Sequence, residues 1–381
     1  MDEAAQCKHW DVIVVGGGSA GCVVASELSR IGRLSVLLIE AGRDTPPGAE
    51  PASIRDPFYA SAMREENFWP DLYVNWISRR LGAQRDPAFY EQARIMGGGS
   101  SVNSMVAIRP LPDDFEERAR SGLAGWSWTD VLPFFKEIET DRDFDGSLHG
   151  QSGPIPIRRH TMEEWPEFCK AVARVAVKRD LPLVEDMNAD PSNGYGRIPM
   201  NNLPSQRVSA AMGFLDAAAR QRPNLTVMTD VRVERLLCEN QRVVGVEVTS
   251  GPKAAKFHGR AVFLCAGAIH SPAILMRSGI GPAEALKELG INIVADSPAV
   301  GRNLQEHPTV SVAAYLKPFA MQSESLRAHA NLGIRMTSPQ PWAPYGDIYT
   351  SVMAKSSWHA LGRRIANFLI SLLKPVSRGE V

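Results

Sequence analysis

The sequence predicts an α/β protein: a doubly wound, Rossmann-like dinucleotide-binding sheet joined to a second domain built on an antiparallel sheet. Three observations predict it. The β-branched run Val12-Ile13-Val14-Val15 leads straight into Gly16, Gly18 and Gly21 at G-x-G-x-x-G spacing. A second apolar run, Phe257 to Ala266, leads into a helix in the same way. Late in the chain, alternating runs at 310–316 and 347–353 carry the period of antiparallel strands.

The first strand has nothing polar to alternate, as expected where both faces are covered. Gly16 permits the tight turn, Gly18 lets backbone N–H groups approach a pyrophosphate, and Gly21 lets the helix over 19–31 pack closely. Ser19 and Ala20 open that helix, whose positive dipole end points at the phosphates. It closes at Gly32, and Leu34 to Ile39 forms a second strand that ends in Glu40 and Ala41. A carboxylate at that strand end can accept hydrogen bonds from both hydroxyls of an adenosine ribose, and it repels a 2′-phosphate. This unit alone does not separate FAD from NAD.

From Pro46 to Phe89 periodicity is lost, which predicts an irregular excursion with local cores at Trp69 and Trp76. The stretch Arg94-Ile95-Met96-Gly97-Gly98-Gly99-Ser100-Ser101-Val102-Asn103 cannot be a regular strand. It suits a nest of backbone donors around an anion or an aromatic ring edge. Flanking Ile95, Met96, Val102, Met105 and Val106 argue against a surface linker. Helices are expected over 113–120, from a cap at Thr129 or Asp130 to Glu139, over 162–179, and from Val208 to Arg222. Strands at 225–229, 231–237 and 243–249 follow, the last two a hairpin turning at Asn240-Gln241. After 257–266, Ser271 caps a helix with Pro272 in its first position, and Gly279 ends it. A short helix over 283–290 completes this part.

Bulk properties narrow the functional classes. Over 381 residues, Lys+Arg and Asp+Glu both number 42, and no basic block appears, which argues against a nucleic-acid partner. Five cysteines, odd in number and without C-x-x-C spacing, indicate neither disulfides nor a zinc site. No metal is expected, and a reducing, cytoplasmic setting is the default. The start, Met1-Asp2-Glu3-Ala4, lacks a basic or apolar leader, and the run from Ile365 to Leu373 is too short to span a bilayer. These features predict a soluble protein with no transmembrane segment.

Four separated stretches together resemble the glucose–methanol–choline (GMC) family of FAD-dependent oxidoreductases. They are GGGSAG with Glu40, RIMGGGSSVNSMVAIR at 94–109, GAIHSPAILMRSGIGP at 267–282, and VGRNLQEHP at 300–308. GWSWTDVLPFFKEIE at 125–139 and QRVSAA at 206–211 are similar to family segments too. The resemblance implies a flavoprotein that oxidises an alcohol to an aldehyde or ketone, with hydride passing to the flavin. The alcohol is a small molecule, and the electron acceptor (oxygen, a quinone or a dye-like carrier) stays open. Gly16, Gly18, Ser19, Ala20 and Gly21 would hold the pyrophosphate, Glu40 and Ala41 the ribose. Gly97, Gly98, Ser101, Val102, Asn103, Ser104, Met105 and Val106 would run beside the flavin and pyrophosphate, with Asn103 in direct contact. Val231 would meet the adenine through its backbone, an edge strand offering both N–H and C=O, and Ala266 and Gly267 complete the set.

The chain departs from the family pattern in three places. Some relatives attach FAD through a histidine before the Asn of the first signature. Val102 stands there, so FAD is expected to be non-covalent. Ala107 and Pro110 replace an aromatic residue and a glycine, which alters the channel lining. The family's C-terminal catalytic histidine has no counterpart, so the resemblance implies a fragment that does not turn over alcohols by itself. No histidine qualifies as the base: His307 would be structural, and His270 reads as a satisfied loop histidine. A hydroxynitrile lyase, a non-catalytic flavin binder and a plain NAD dehydrogenase remain as alternative readings. The expected domains are FAD-binding over 8–158 and 206–308, and substrate-binding over 159–205 and 309–381.

Overall fold

The computed structural model describes residues 9–75, 87–312, 314, 316–328 and 330–354. Trp76, His329, His359 and the 365–373 run lie outside the described residues. The chain divides into two compact units. Unit 1 comprises Met1–Arg159, Met187–Pro191 and Ile198–Ala313; unit 2 comprises His160–Asp186, Ser192–Arg197 and Ala314–Val381. Residues 187–191 and 198–205, expected with the second domain, cluster with the first.

Unit 1 is organised by a six-stranded sheet. Its elements are β1 (His9–Val15), α1 (Ser19–Arg30), β2 (Val36–Ile39), β3 (Leu225–Met228), β4 (Arg232–Glu239), β5 (Arg242–Ser250), β6 (Lys253–Leu264) and α2 (Gly267–Arg277). The strand order is β3-β2-β1-β6-β5-β4. The first four strands pair in parallel, and β6-β5-β4 pair antiparallel. Strand β6 belongs to both parts. His258 faces Gly245 of β5 and His9 of β1, and from there β6 runs beside β1 to Leu264 opposite Val15.

Two apolar layers explain why β1 and β2 show no alternation. Val12, Val14, Val36 and Leu38 pack on Cys22 and Ala25 of α1 and on Ala210, Ala211 and Leu215. Ile13, Val15, Leu37 and Ile39 pack instead with Val233 and Leu236 of β4, Val246 and Val248 of β5, and Ile274 of α2. Fully burying such a side chain contributes roughly 1.5–3 kcal/mol, so both faces select apolar residues. The β4–β5 turn uses Asn240 and Gln241 at φ 48° and 63°, the double left-handed geometry of a tight hairpin.

Several expected elements take a different form. The helix expected over 208–222 is two short helices, Ala210–Phe214 and Ala217–Arg220. Asp216 breaks it: its carboxylate accepts from the Ala219 N–H at 2.8 Å and starts the second helix. Helix α2 starts at Gly267 rather than at Ser271-Pro272, because Ser271 Oγ folds back to accept from the Ala266 N–H at 3.1 Å. The helix Trp128–Ile138 is capped by Ser127, in a reciprocal box with Asp130. Phe68, not Trp69, anchors the excursion, packed with Ile54, Ala62, Ile95 and Val102.

Unit 2 packs the helix Glu167–Lys178 against a three-stranded antiparallel sheet. Strand Leu332–Met336 lies between Ile348–Val352 and Gly194–Arg197. Trp165, Cys169, Tyr195, Leu332 and Ile334 form its core. The strand expected over 310–316 is absent among the described residues, and Val310 and Val312 stand 89% and 94% exposed. The partner of 347–353 is Leu332–Met336 instead. Among the described residues, no helix is long and apolar enough to cross a membrane.

Candidate cofactor site

A cleft of about 470 Å³ opens in unit 1 where β1, β2 and β6 end. At one end lie Gly16, Gly18, Ser19 and Ala20. Gly16 has φ +97° and donates its N–H to the Ile39 carbonyl at 2.8 Å; a Cβ there would stand 2.6 Å from the Cys265 carbonyl oxygen. Gly18 is the N-cap of α1, where no side chain accepts from the helix and no acid occupies the first turn. The N–H groups and positive dipole end of that helix are therefore available to an anion.

A second glycine run backs the first. Gly97 donates its N–H to the Gly17 carbonyl at 2.6 Å. A Cβ on Gly98 would sit 2.8 Å from Gly18 Cα, so backbone lies on backbone there. Gly97 and Gly98 have φ 86° and 53°, and a single helical turn, Gly99–Val102, follows. Ser100 Oγ donates to the Gly97 carbonyl and Ser101 Oγ to that of Met96, which fixes the curl.

Glu40 is 7% exposed. Its Oε2 accepts from the Gly17 N–H at 2.7 Å and its Oε1 from the Gly42 N–H at 2.8 Å. Burial pushes its pKa up, against the pull of these backbone donors and of Arg94. Each carboxylate oxygen keeps a second lone pair for a sugar hydroxyl. Glu40 also accepts, through its main-chain carbonyl, the N–H of Val231 at 3.1 Å. The expectation that Val231 offers both N–H and C=O to a base therefore needs correction: the N–H is engaged within the fold.

The structure brings Gly16, Gly18, Ser19, Ala20, Glu40, Ala41, Gly98, Val231, Ala266 and Gly267 to the cleft lining. It does not bring Gly21, Gly97, Ser101, Val102, Asn103, Ser104, Met105 or Val106 there. Gly21 is a packing position, where a Cβ would collide with the Gly16 carbonyl oxygen. Val102 and Met105 are buried. Asn103 Oδ1 accepts from the Met105 N–H at 3.0 Å and from Arg207 Nη1 at 2.9 Å. Arg207, fully buried, also donates to the carbonyls of Ile54, Ser100 and Asn103, and burial pushes its pKa down to about 10.

Sequence reading missed Trp69, Gln92, Arg232 and Arg277 and gave His270 no role, yet all five line the cleft. His270 lies within α2, and its Nε2 is buried with no hydrogen-bond partner among the described residues. It is not a satisfied loop histidine. Nothing local in the sequence marks these positions, because distant segments meet there. His307 is fully exposed. Elsewhere, Glu139, Asp141 and His149 bring potential ligand atoms within 4.8 Å of one another. Arg109 stands 2.6 Å from Glu139, and Arg159 2.9 Å from Asp141. These carboxylates already have cationic partners, and the cluster is an ion-pair network.

Two glycine runs that exclude side chains, an uncapped helix N-terminus and a carboxylate at the next strand end fit a dinucleotide. The chain is 42% identical over 352 residues to 5-(hydroxymethyl)furfural oxidase of Methylovorus sp. (strain MP688), covering 91% of this chain and 66% of that protein. It is 36% identical over 310 residues to oxygen-dependent choline dehydrogenase of Pectobacterium atrosepticum, covering 78% and 53%. Among solved structures, pyridoxine 4-oxidase from Mesorbium loti matches with a TM-score of 0.78 at 30% identity, covering 91% and 67%. The chain thus spans about two thirds of the length of the furfural oxidase and about half that of the choline dehydrogenase. The family model for GMC oxidoreductases matches residues 10–309, a span that takes in both glycine runs, Glu40 and every residue lining the cleft, and the chain belongs to that family.

Proposed function

We propose that the cleft binds FAD non-covalently and that the protein is an FAD-dependent oxidoreductase acting on the CH–OH group of a small alcohol. The observation that carries this reading is the meeting of the α1 N-terminus, Glu40 and the strand edge at Val231 in one cleft. FAD, when bound, supplies the hydride acceptor for alcohol oxidation. Gly18, Ser19 and Ala20 receive the pyrophosphate on backbone donors and the helix dipole, while Gly16 makes the turn that brings them there. The Glu40 carboxylate, positioned by the N–H groups of Gly17 and Gly42, takes the ribose hydroxyls. Gly98 and Gly99, the part of the 97–106 stretch that lines the cleft, are braced from behind by Arg207 through Ser100 and Asn103. Unit 1 carries the cofactor.

The same geometry supports non-covalent attachment. Val102 carries no nucleophile, is 6% exposed, and packs among Ile54, Ala62, Phe68 and Ile95. Matched relatives include two named as oxidase and dehydrogenase of different alcohols, which supports the reaction class and leaves the substrate open. The test is to denature purified protein with acid, spin it, and record the flavin spectrum of both fractions. Flavin in the supernatant is expected. Yellow colour held in the pellet overturns non-covalent attachment, and failure to bind FAD at all overturns the reading.

A further inference from the structure

We propose that Arg207 is a positioning residue for the flavin ring: from the interior its charge orients and polarises the Asn103 amide, so that Asn103 Nδ2 faces outward as a donor to an acceptor atom of the ring. The proposal rests on the FAD reading above and deepens it. The Asn103 side chain has one orientation open to it. Its Oδ1 accepts from the Met105 N–H at 3.0 Å and from Arg207 Nη1 at 2.9 Å. Both partners are donors, so the carbonyl end of the amide is turned toward them and the NH2 end is turned away. Asn103 is exposed, which leaves that NH2 group on the outer side.

Two unfavourable features hold this arrangement. Met105, fully buried, sits at φ 63°, a backbone conformation that side-chain-bearing residues rarely adopt and that clusters at functional sites. Arg207 is fully buried too, and every acceptor it meets among the described residues is a carbonyl oxygen: those of Ile54, Ser100 and Asn103, and the Asn103 side chain. The acid that acts on it, Asp56, does so from beyond hydrogen-bond range, and Nη2 has no partner among the described residues. A buried cation without a paired counter-ion is costly, and neutral donors would suffice to brace these carbonyls. What the charge adds is polarisation: an ionised donor on the amide oxygen strengthens the hydrogen bond that the same amide donates from its nitrogen. Position assigns the acceptor. Asn103 follows the helical turn Gly99–Val102, which starts at the cleft wall and rises about 6 Å. It is not itself part of the lining, so the ADP half of the cofactor leaves it free and the ring system is the part that meets it. The polar edge of a flavin carries ring nitrogens and carbonyl oxygens that gain electron density on two-electron reduction. A strengthened donor there favours the reduced cofactor.

The midpoint potential of FAD bound to the full-length protein, read beside the ADP affinity of the flavin-free protein, tests this. Arg207→Gln keeps an amide donor and removes the charge. It is expected to weaken the preference for reduced over oxidised FAD about tenfold, which lowers a two-electron potential by about 30 mV, and to leave ADP affinity unchanged. Arg207→Lys keeps the charge and should return the potential toward the wild-type value. Asn103→Ala should lower the potential by itself, and adding Arg207→Gln to it should lower it no further. An unchanged potential in Arg207→Gln overturns the proposal. So does a parallel loss of ADP and FAD affinity that Arg207→Lys does not rescue, since Arg207 is then a brace alone. Additive effects in the double variant overturn the route through Asn103. An Arg207→Gln chain that does not fold assigns the charge to the fold and overturns the proposal as well. Wild-type protein that binds no FAD overturns the FAD reading itself, an outcome separate from all of these.

Discussion

Glu40 does two things at once, and its substitution should separate them. Its carboxylate lines the cleft, yet it also satisfies the buried N–H groups of Gly17 and Gly42. Leaving a buried donor unpaired costs about 1–3 kcal/mol. Glu40→Ala is therefore expected to lower the unfolding free energy of the flavin-free protein by about that amount, besides weakening FAD roughly ten- to a hundredfold. Denaturant melts with and without FAD check it; unchanged stability would mean that water replaces the carboxylate. A pH effect follows from the same burial. Folding raises this carboxyl's pKa above its ordinary value of 4.5. Its contribution is thus fully present below the unfolded pKa and lost as pH rises through the folded one. Wild type should lose stability relative to Glu40→Gln across that rise, whatever constant offset the amide introduces. A stability difference flat with pH would show that the carboxyl keeps its ordinary pKa in the fold.

At the level of elements, the β1–α1–β2 unit is legible in the sequence because its determinants are close in the chain. Strand, glycines, helix and acid follow one another from His9 to Glu40. The start of α2 is not legible, because Ser271-Pro272 is a strong local cap signal that the fold uses differently: Ser271 reaches back to Ala266. Strand Leu332–Met336 escapes sequence reading for another reason. It is the middle strand of three, with Leu332 to Arg335 all buried, so it shows no alternation, and Arg335 interrupts its apolar run. The glycines of the first turn divide by the same local logic. A Cβ at Gly16 meets the Cys265 carbonyl and one at Gly21 the Gly16 carbonyl, whereas at Gly18 the nearest atom is 3.7 Å away and φ is −74°. Gly18→Ala should therefore fold with stability within about 0.5 kcal/mol of wild type, yet bind ADP more weakly, its methyl group standing where backbone must approach a phosphate. Gly21→Ala should fail to give folded protein. Thermal melts and ADP titrations of both variants check this, and full ADP affinity in Gly18→Ala would remove Gly18 from the phosphate contact.

At the scale of the whole molecule, the cleft draws on segments far apart in sequence. Residues within 15–20, 39–41, 92–93, 98–99, 231–233 and 264–277, together with Trp69, contribute, and all belong to unit 1. That dispersal is why the phosphate end is legible and the end at Trp69 and His270 is not: the first is one contiguous motif, the second exists only once the chain is folded. The family match ends at residue 309, close to where unit 1 ends at Ala313. Hydrogen exchange with and without FAD then makes a prediction across the chain. Slowed exchange is expected in separated peptides of unit 1, around Gly18–Ala20, Gly98–Gly99, Arg232–Val233 and Gly267–His270. Ligand that binds only the native state adds about 2.7 kcal/mol of protection at a hundredfold excess over Kd wherever exchange requires unfolding of the site. Amides of the Leu332–Met336 strand that exchange by local opening should keep their rates, because no residue of that sheet lines the cleft. Protection at Gly18–Ala20 without any at Gly267–His270 would place the ligand at the phosphate end alone, and would contradict a dinucleotide filling the cleft.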